Sequence, residues 1–167
     1  MRRSDREIKD RNDMIEVMKR CDVCRLAFHD EAYPYIIPLN FGMRVKDGQI
    51  VLYFHGALEG KKYELMAKDN RAGFEMDCSH ELVTEEAEGS CTMNYECVIG
   101  HGRVEMVPEE EKYEALCILM EHYHQEFFPF NRAVMPKTAV FCLKVEEMTG
   151  KRRAKVPKVK ADGNGID

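Results

Sequence analysis

Residues 33–55, YPYIIPLNFGMRVKDGQIVLYFH, carry the signals that decide the fold. The first half is an extended stretch containing Pro34 and Pro38, and each proline removes a backbone donor from a β-ladder. We therefore predict that this strand has an open edge, or an irregular section that faces a ligand. The Asp-Gly pair at 47–48 is a strong hairpin signal. It leads into the strand Ile50–His55, which is apolar on both faces and is predicted to be central.

The residues before this stretch predict a helix followed by a short strand. Ser4 and Asp10 are alternative N-caps for a helix over residues 4–20, each with an acidic residue three positions later. The apolar side of this helix is expected to consist of Ile8, Met14, Ile15 and Met18. A strand over residues 23–28 and a turn over residues 29–32 complete this part of the chain.

The residues after His55 predict a short helix and two more strands. Beyond Gly56 the apolar spacing becomes helical, and the helix is expected to end near residues 69–70. The order expected next is a strand over 71–78, an acidic loop over 81–90 and a long strand over 91–107. Gly100 and Gly102 lie inside the long strand, which indicates a bulge, a bend or close approach of the backbone to a bound group.

The clearest helix is predicted to open at Pro108, because proline is tolerated at the first helical position and Glu109–Glu111 complements the helix dipole. Its buried stripe is expected to consist of Tyr113, Leu116, Cys117, Met120 and Phe127. His122 and His124 are two positions apart and cannot share a helix face, so we expect them at the surface. With a last strand over 138–145, the pattern predicts a small antiparallel barrel with helices packed outside it.

Length and composition limit the classes of protein that fit. The 167 residues are 44% hydrophobic, with 25 basic and 30 acidic side chains and a net charge of −5. This predicts one domain over residues 1–153, which includes the N-terminal helix, and a basic tail over 154–167. The acidic balance argues against a nucleic-acid partner. No apolar run fits a membrane span or a secretory signal, so we expect no membrane partner and a cytoplasmic location.

Seven cysteines are irregularly spaced, and only Cys21 and Cys24 form a C-x-x-C pair. A zinc site needs a second pair of ligands, and the sequence has no second C-x-x-C. A thioredoxin-like pair lies where a strand enters a helix, whereas here a helix ends at the pair and a strand follows. The other five cysteines lie among strand-like or apolar residues, where a reduced thiol behaves as a small hydrophobic group. We predict no metal site.

The densest polar feature is the segment His55-Gly56-Ala57-Leu58-Glu59-Gly60-Lys61-Lys62, where a buried strand turns into a helix. Its glycines allow close backbone approach, the first helical N–H groups are unpaired, and two lysines add positive charge. These are the components of an anion site, above all for phosphate. A plain strand-to-helix turn with surface lysines fits the same residues. The spacing does not match a Walker A loop.

Four motifs in order resemble one family. They are the segments YPYIIPLNFG at 33–42, LYFHGA at 52–57 with GKK at 60–62, YECVIGHGRVE at 95–105 and MTGKR at 148–152. This arrangement, over about residues 10–153, resembles the nitroimidazole-resistance branch of the pyridoxamine 5′-phosphate oxidase-like flavoproteins. The resemblance implies a mainly β fold with flanking helices: an antiparallel, Greek-key-like split β-barrel that binds FMN. It also implies a homodimer with flavin at the subunit interface.

The resemblance assigns cofactor roles to three segments. Residues matching the strand along the isoalloxazine ring are Tyr35, Ile36, Ile37, Pro38, Leu39 and Asn40; those matching the ribityl-phosphate segment are His55, Gly56, Ala57, Gly60, Lys61 and Lys62. Either lysine is the expected cationic partner of the phosphate. Cys97 and Ile99 belong to a further flavin-contacting strand, and Cys97 stands where the family often has serine. His55 matches a histidine close to cofactor and substrate, and is either catalytic or simply part of the turn.

The function implied by the resemblance is flavin-dependent reduction of a small acceptor, for instance a nitroaromatic such as a 5-nitroimidazole. Because a flavin supplies the redox chemistry, no catalytic triad is needed. The alternative is a non-catalytic protein that holds flavin or haem for storage or sensing. Pyridoxamine phosphate oxidation itself is less favoured, because the sequence lacks an Arg-x-His type motif near its end.

Overall fold

The computed structural model describes residues 3–124 and 128–153. Its helices are α1 (Arg11–Arg20), α2 (Lys61–Lys68) and α3 (Lys112–Tyr123), with short 3₁₀ turns at Ser4–Arg6, Glu86–Glu88 and Arg132–Lys137. Its strands are β1 (Glu7–Ile8), β2 (Cys24–Phe28), β3 (Tyr35–Leu39), β4 (Gly42–Lys46), β5 (Gln49–Gly56), β6 (Arg71–Glu85), β7 (Ser90–Met106) and β8 (Ala139–Arg153). No helix among these residues is long and apolar enough to cross a membrane.

All strand pairs are antiparallel, and the sheet runs in the order β3-β2-β6-β7-β8-β5-β4 with β1 added to β8. Seven strands in a flat sheet would place β3 about 29 Å from β4, at about 4.8 Å per spacing. Only residues 40–41 separate the two strands in sequence, however, and so short a connection spans at most about 11 Å. The sheet must curl until its two end strands meet at this corner. The predicted fold, an antiparallel split β-barrel with flanking helices, is confirmed.

The segment 33–43 is not one continuous strand as expected. It divides into β3 and β4, which lie at the two ends of the sheet path. The break follows from the side chain of Phe41, which is fully buried and turns the chain inward between the strands. The expected open edge is present, since β3 pairs with β2 alone and Pro38 lies within it. The Asp-Gly hairpin between β4 and β5 is also confirmed, with positive φ at both residues.

The core has two parts on either side of β5 and β8. Alternate residues of both strands, among them Phe54 and Phe141, point into the barrel, and their rings stack 5.3 Å apart. Val140 and Cys142 face outward and pack under α3. A side chain at Gly42 would meet the α3 backbone at 2.5 Å, so this glycine permits the helix to lie directly on β4. The prediction that β5 is apolar on both faces therefore reflects two packing layers.

The first helix is shorter than expected. Asp10, rather than Ser4, is the N-cap of α1, and its carboxylate accepts hydrogen bonds from the backbone of Asn12 and Asp13 at 2.7 and 3.1 Å. The residues before it form the short 3₁₀ turn and β1, which pairs with the end of β8. Ile8 is buried in this strand rather than on the helix.

The acidic segment 81–90 was predicted to be a loop, and this is wrong. Strands β6 and β7 continue through it as a two-stranded hairpin with register pairs from Glu81↔Asn94 to Glu85↔Ser90. Only its tip turns, at Gly89 with a φ of 58°. A bulge between Cys78 and Glu81 separates this hairpin from the barrel. Charge suggested a loop, but cross-strand pairing decides the conformation.

The third helix also begins later than expected, at Lys112, because residues 108–111 form a turn. Of the predicted buried stripe, Leu116 is buried, while Tyr113, Cys117 and Met120 are half-buried; Phe127 lies outside the described residues. The buried positions that sequence reasoning missed are Lys112, Ala115, Ile118 and Leu119. His122 is not a free surface residue, since its Nε2 lies 2.6 Å from the Cys21 carbonyl oxygen.

The last strand is longer than expected and takes in the first part of the basic segment. Lys151, Arg152 and Arg153 belong to β8 and pair with β7. The rest of the predicted tail, 154–167, lies outside the described residues. The expected irregularity at the glycine pair is present, as a shift in β7–β8 register between His101 and Gly102. A side chain at Gly102 would meet the Lys144 carbonyl oxygen at 2.0 Å, so its close neighbour is the adjacent strand.

Candidate functional site

The turn from β5 into α2 lies beside one opening of the barrel. Strand β5 ends at Gly56, and Gly60 has a φ of 139°, a conformation that side chains rarely adopt. Helix α2 then buries Leu65 and Met66 in the main core. Gly60 is its N-cap and supplies no side-chain cap, so the positive end of the helix dipole lies at this turn without a capping side chain.

The two adjacent lysines at the start of α2 lie in different surroundings. The Lys61 side chain is half exposed, and its amino group pairs with Asp30 at 2.5 Å and lies 5.5 Å from the Tyr35 ring centre. Lys62 is only 9% exposed. Among the described residues no carboxylate lies within 4 Å of the Lys62 amino group, and burial lowers the pKa of Lys62. Lys61 thus has a carboxylate partner, whereas the Lys62 amino group has none among the described residues and lies 4.3 Å from the Tyr63 ring centre.

A second polar group at this turn is also unsatisfied. Within the described part of the chain, the Tyr63 hydroxyl is buried and has no hydrogen-bond partner. A side chain placed at Gly56 would lie 3.1 Å from both the Tyr63 oxygen and the Lys62 amino nitrogen. The two groups therefore converge above this glycine. A buried, unpaired hydroxyl costs about 1–3 kcal/mol, which a bound acceptor atom would recover.

Together these groups have the charge, the donor and the space that an anion site needs. The Lys62 ammonium supplies charge, the Tyr63 hydroxyl supplies a hydrogen-bond donor, and Gly56 leaves room for a ligand atom. The alternative of a plain turn with surface lysines does not describe Lys62, which is buried. Sequence reasoning missed Tyr63, although its position directly after the lysine pair was a usable signal. The assignment of individual residues to a cofactor remains a prediction.

His55 lies two residues before the turn, with its imidazole on the outer side of β5. It is opposite Val140 in the ladder and its side chain is exposed at the end of the strand. Partial burial nevertheless lowers the pKa of His55, so the imidazole is largely neutral at pH 7. A neutral imidazole carries one N–H donor and one acceptor nitrogen. Ala57, the next residue but one, is exposed in the turn itself.

The six predicted residues of the proline-containing segment divide between two faces. Tyr35, Ile37 and Leu39 pack against the main core. Ile36 and Pro38 are exposed on the outer face, and Ile36 keeps 61% of its surface. Asn40 follows the strand and donates a hydrogen bond to the Asp22 carbonyl oxygen at 3.4 Å. Tyr35 is the member of this group that the structure brings to the α2 turn, through Lys61.

Cys97 and Ile99 lie on β7, away from the α2 turn. Their ladder positions place one row across the outer face: Pro38, Arg25, Glu75, Ile99 and Thr149. Ile99 is thus three strand spacings from Pro38, about 14 Å. Both Cys97 and Ile99 share the outer face with the exposed residues of β3. Burial raises the pKa of Cys97, so its thiol is protonated at neutral pH.

An ion-pair network on the same face was not anticipated. Arg25 contacts Glu75 at 3.0 Å and Asp77 at 2.5 Å, and His80 lies 2.7 Å from Asp77. Burial and the neighbouring Asp77 raise the pKa of Glu75 against the effect of Arg25. The alternation of acidic and apolar residues along 74–78 could have revealed this outward-facing pair. These charges lie between the two groups of predicted cofactor residues.

Comparison with known proteins identifies the family. The family model described as pyridoxamine 5′-phosphate oxidase matches residues 10–152. The chain belongs to this family. A crystal structure of a candidate 5-nitroimidazole antibiotic resistance protein from Bacteroides thetaiotaomicron is similar at 31% identity, over 87% of this chain and 86% of that one, with a TM-score of 0.76. The family predicted from the four motifs is confirmed.

Two further solved structures, each less than 25% identical to this chain, share its fold. An FAD and heme binding protein from Mycobacterium smegmatis is 17% identical over 91% of this chain and 75% of that one, with a TM-score of 0.75. An FAD-binding protein from Mesorhizobium loti is 21% identical over 89% of this chain and 98% of that one, with a TM-score of 0.64. A comparison with curated proteins gave no significant match.

Proposed function

We propose that the protein is an FMN-dependent oxidoreductase that reduces a small acceptor, for instance a nitroaromatic such as a 5-nitroimidazole. The observation that carries the proposal is the buried ammonium of Lys62 beside the buried Tyr63 hydroxyl, neither of which has an ion-pair or hydrogen-bond partner among the described residues. Family membership and the similarity to a candidate nitroimidazole resistance protein support the cofactor class and the acceptor.

The residues at the α2 turn fit the phosphate end of FMN. A phosphate monoester is a dianion at neutral pH, and Lys62 offers a buried cation for which the described part of the chain supplies no carboxylate. Tyr63 would donate its unused O–H to a phosphate oxygen, in the space that Gly56 leaves open. Lys61 would add a longer-range attraction, since Asp30 already neutralises much of its charge. A charge-assisted hydrogen bond of this kind contributes about 1.5–3 kcal/mol.

The proline-containing strand β3 fits the ring system of FMN. Because β3 pairs with β2 alone among the described strands, its other backbone edge could donate to and accept from the polar edge of the ring. Bound flavin would supply two-electron reduction of the acceptor. The His55 imidazole, neutral at pH 7, is able to hold one proton at the open end of β5. We propose that it orients a polar group of the acceptor by donating that N–H.

We also propose that the active form is a homodimer with flavin at the subunit interface. The outer face combines exposed Ile36 and Ile99, at 61% and 49% exposure, with the ion-pair network. Apolar residues in such a setting are typical of an interface. A second subunit would also bring the separated groups on β3 and β7 toward one ligand. Light scattering of the purified protein tests this, and a monomer at micromolar concentration with full flavin content contradicts it.

The proposed activity is tested with the purified full-length chain. The visible spectrum should show bound flavin, and denaturation should release FMN rather than FAD on chromatography. After anaerobic reduction, addition of a 5-nitroimidazole should reoxidise the flavin and consume the nitro compound. Flavin that is bound but never reoxidised by any nitroaromatic would contradict the reductase. A Soret band on haem addition, without flavin binding, would favour the storage or sensing alternative.

A further inference from the structure

Two of the seven cysteines approach the same backbone carbonyl oxygen near the bulge of β6. The Cys21 thiol donates to the Val17 carbonyl oxygen at 3.3 Å, and the Cys78 sulfur lies 3.9 Å from the same oxygen. Burial raises the pKa of Cys21, and the neighbouring Cys78 adds to this effect. Cys21 caps the C-terminus of α1, and Cys78 lies on β6 just before the bulge.

The two thiols differ in accessibility. Cys21 is 1% exposed, whereas Cys78 is half-buried. The Cys78 sulfur accepts a hydrogen bond from the Ser79 hydroxyl at 3.6 Å. Ser79 has a φ of 59°, so the bulge turns the backbone outward beside this sulfur. A small solute therefore reaches the Cys78 sulfur more easily than the buried thiol of Cys21.

We propose that Cys21 and Cys78 are a redox-active pair that peroxide converts into a disulfide. In the first step hydrogen peroxide transfers one oxygen to the Cys78 sulfur, which gives a sulfenic acid and one water. In the second step the Cys21 sulfur attacks the sulfenic sulfur; the S–S bond forms, the S–O bond breaks, and the Cys21 proton leaves with the hydroxyl as water. The two thiols are oxidised by two electrons, and peroxide is reduced to two waters.

The link would join elements that are otherwise held by non-covalent contacts. It would tie the end of α1 to β6 at the base of the β6–β7 hairpin. The Cys21 carbonyl oxygen also contacts His122 of α3 at 2.6 Å, and the next carbonyl, of Asp22, accepts from the Tyr123 hydroxyl at 2.8 Å. Oxidation would therefore fix the point where α1, α3 and β6 meet.

Cys24 is the natural competitor and the matched control. It is fully buried. The β2–β6 register sets Arg25 opposite Glu75, which places Cys24 opposite Met76 and one diagonal step from Cys78. Its pKa, like that of Cys21, is raised by burial. The approach of both sulfurs to the Val17 carbonyl oxygen, rather than burial or proximity in sequence, is what distinguishes Cys21 from Cys24 as the partner of Cys78.

The test maps the disulfide in full-length protein with exposed Cys91 replaced by serine, which leaves six thiols of the seven. Protein is treated with a few equivalents of hydrogen peroxide, blocked with N-ethylmaleimide and cut with trypsin and a glutamyl protease. Cys78 then lies alone in the peptide 76–81, and Cys21 shares the peptide 21–25 with Cys24. We expect six blocked thiols to fall to four and these two peptides to be joined until dithiothreitol is added.

Two variants assign the partner. Cys24→Ser should retain the link in full. Cys21→Ser should lose it and leave Cys78 as a sulfenic acid that dimedone labels. A link that disappears in Cys24→Ser but persists in Cys21→Ser overturns the proposal, as does a Cys78–Cys97 link or oxidation of Cys78 with no link in the parent protein. If a variant fails to fold, fragmentation of the linked parent peptide distinguishes Cys21 from Cys24.

Discussion

Two regions of the molecule, the cluster around Glu96 and the turn at the start of α2, hold buried charge in opposite ways. Near Cys78, Glu96 is 13% exposed and accepts from Arg20 at 2.6 Å, from Arg152 and from Ser79 at 3.0 Å. Near α2, Lys62 is buried and its charge is unpaired within the described residues. The first arrangement is complete and stabilises the fold. The second costs stability, which is the pattern expected where a ligand completes the site.

The largest expected effect tests the Glu96 cluster, in which the charge is paired. Glu96→Ala should lower the free energy of unfolding by about 2 kcal/mol, because it removes a largely buried carboxylate that accepts hydrogen bonds from two partly exposed guanidinium groups. It should change the FMN dissociation constant by less than about twofold, because the contacts of Glu96 are to Arg20, Arg152 and Ser79 and not to the groups of the α2 turn. Urea unfolding and flavin titration measure the two quantities.

Glu105→Ala is the matched control for that change. It removes an exposed pair with Lys144 at 2.7 Å, so its cost should be at most about 1 kcal/mol. Equal losses from both substitutions would show that the Glu96 cluster is no more important than a surface pair. The contrast between the Glu96 cluster and Lys62 would then fail.

The second effect tests the α2 turn by comparing its adjacent lysines, Lys61 and Lys62. Lys62→Met should weaken FMN binding by about 10- to 100-fold, since a charge-assisted hydrogen bond of about 1.5–3 kcal/mol is lost. The flavin-free variant should be more stable than the parent by about 1 kcal/mol, because an unpaired buried charge is replaced by an apolar chain of similar shape. Binding and urea unfolding are measured on the same protein preparation.

Lys61→Met is the control for position and charge. Its amino group already pairs with Asp30 and is half exposed, so FMN binding should weaken by less than about threefold. If the two variants lose affinity equally, net positive charge near the turn is sufficient and the assignment to Lys62 is wrong. If Lys61→Met loses more, the two roles are exchanged.

The third effect is smaller and concerns the other unsatisfied group. Tyr63→Phe removes a buried hydroxyl that has no partner among the described residues. The flavin-free protein should gain about 1 kcal/mol of stability, and FMN binding should weaken about fivefold. A loss of stability in the flavin-free state would show that the hydroxyl already has a partner, such as ordered water.

The barrel and its family could be predicted from the sequence because they depend on local signals. The Asp-Gly turn, the prolines of β3 and the glycine pair of β7 each constrain backbone at their own position. The hairpin at residues 81–90 was missed because its pairing depends on cross-strand neighbours distant in sequence. Similarly, Lys61 and Lys62 look alike in the sequence. Their difference arises from Asp30, which only the folded chain brings to one of them.

The smallest effect is the pH dependence of the stability that the Glu96 cluster provides. Burial acts to raise the pKa of Glu96, but hydrogen bonds from Arg20, Arg152 and Ser79 outweigh it and lower the pKa overall. A carboxyl group with a lowered folded-state pKa stabilises the fold above its unfolded pKa, about 4.5, and loses that contribution as the pH falls through the folded value. Urea unfolding of the parent and of Glu96→Gln should therefore differ at pH 7 and converge as the pH falls below about 4. Because burial and the hydrogen bonds shift the pKa of Glu96 in opposite directions, the difference in unfolding free energy between the two proteins should change only gradually with pH. A difference that stays constant from pH 7 to pH 3 would mean that the cluster stabilises through packing of the arginine side chains, and the contrast with Lys62 would no longer be one of paired and unpaired charge.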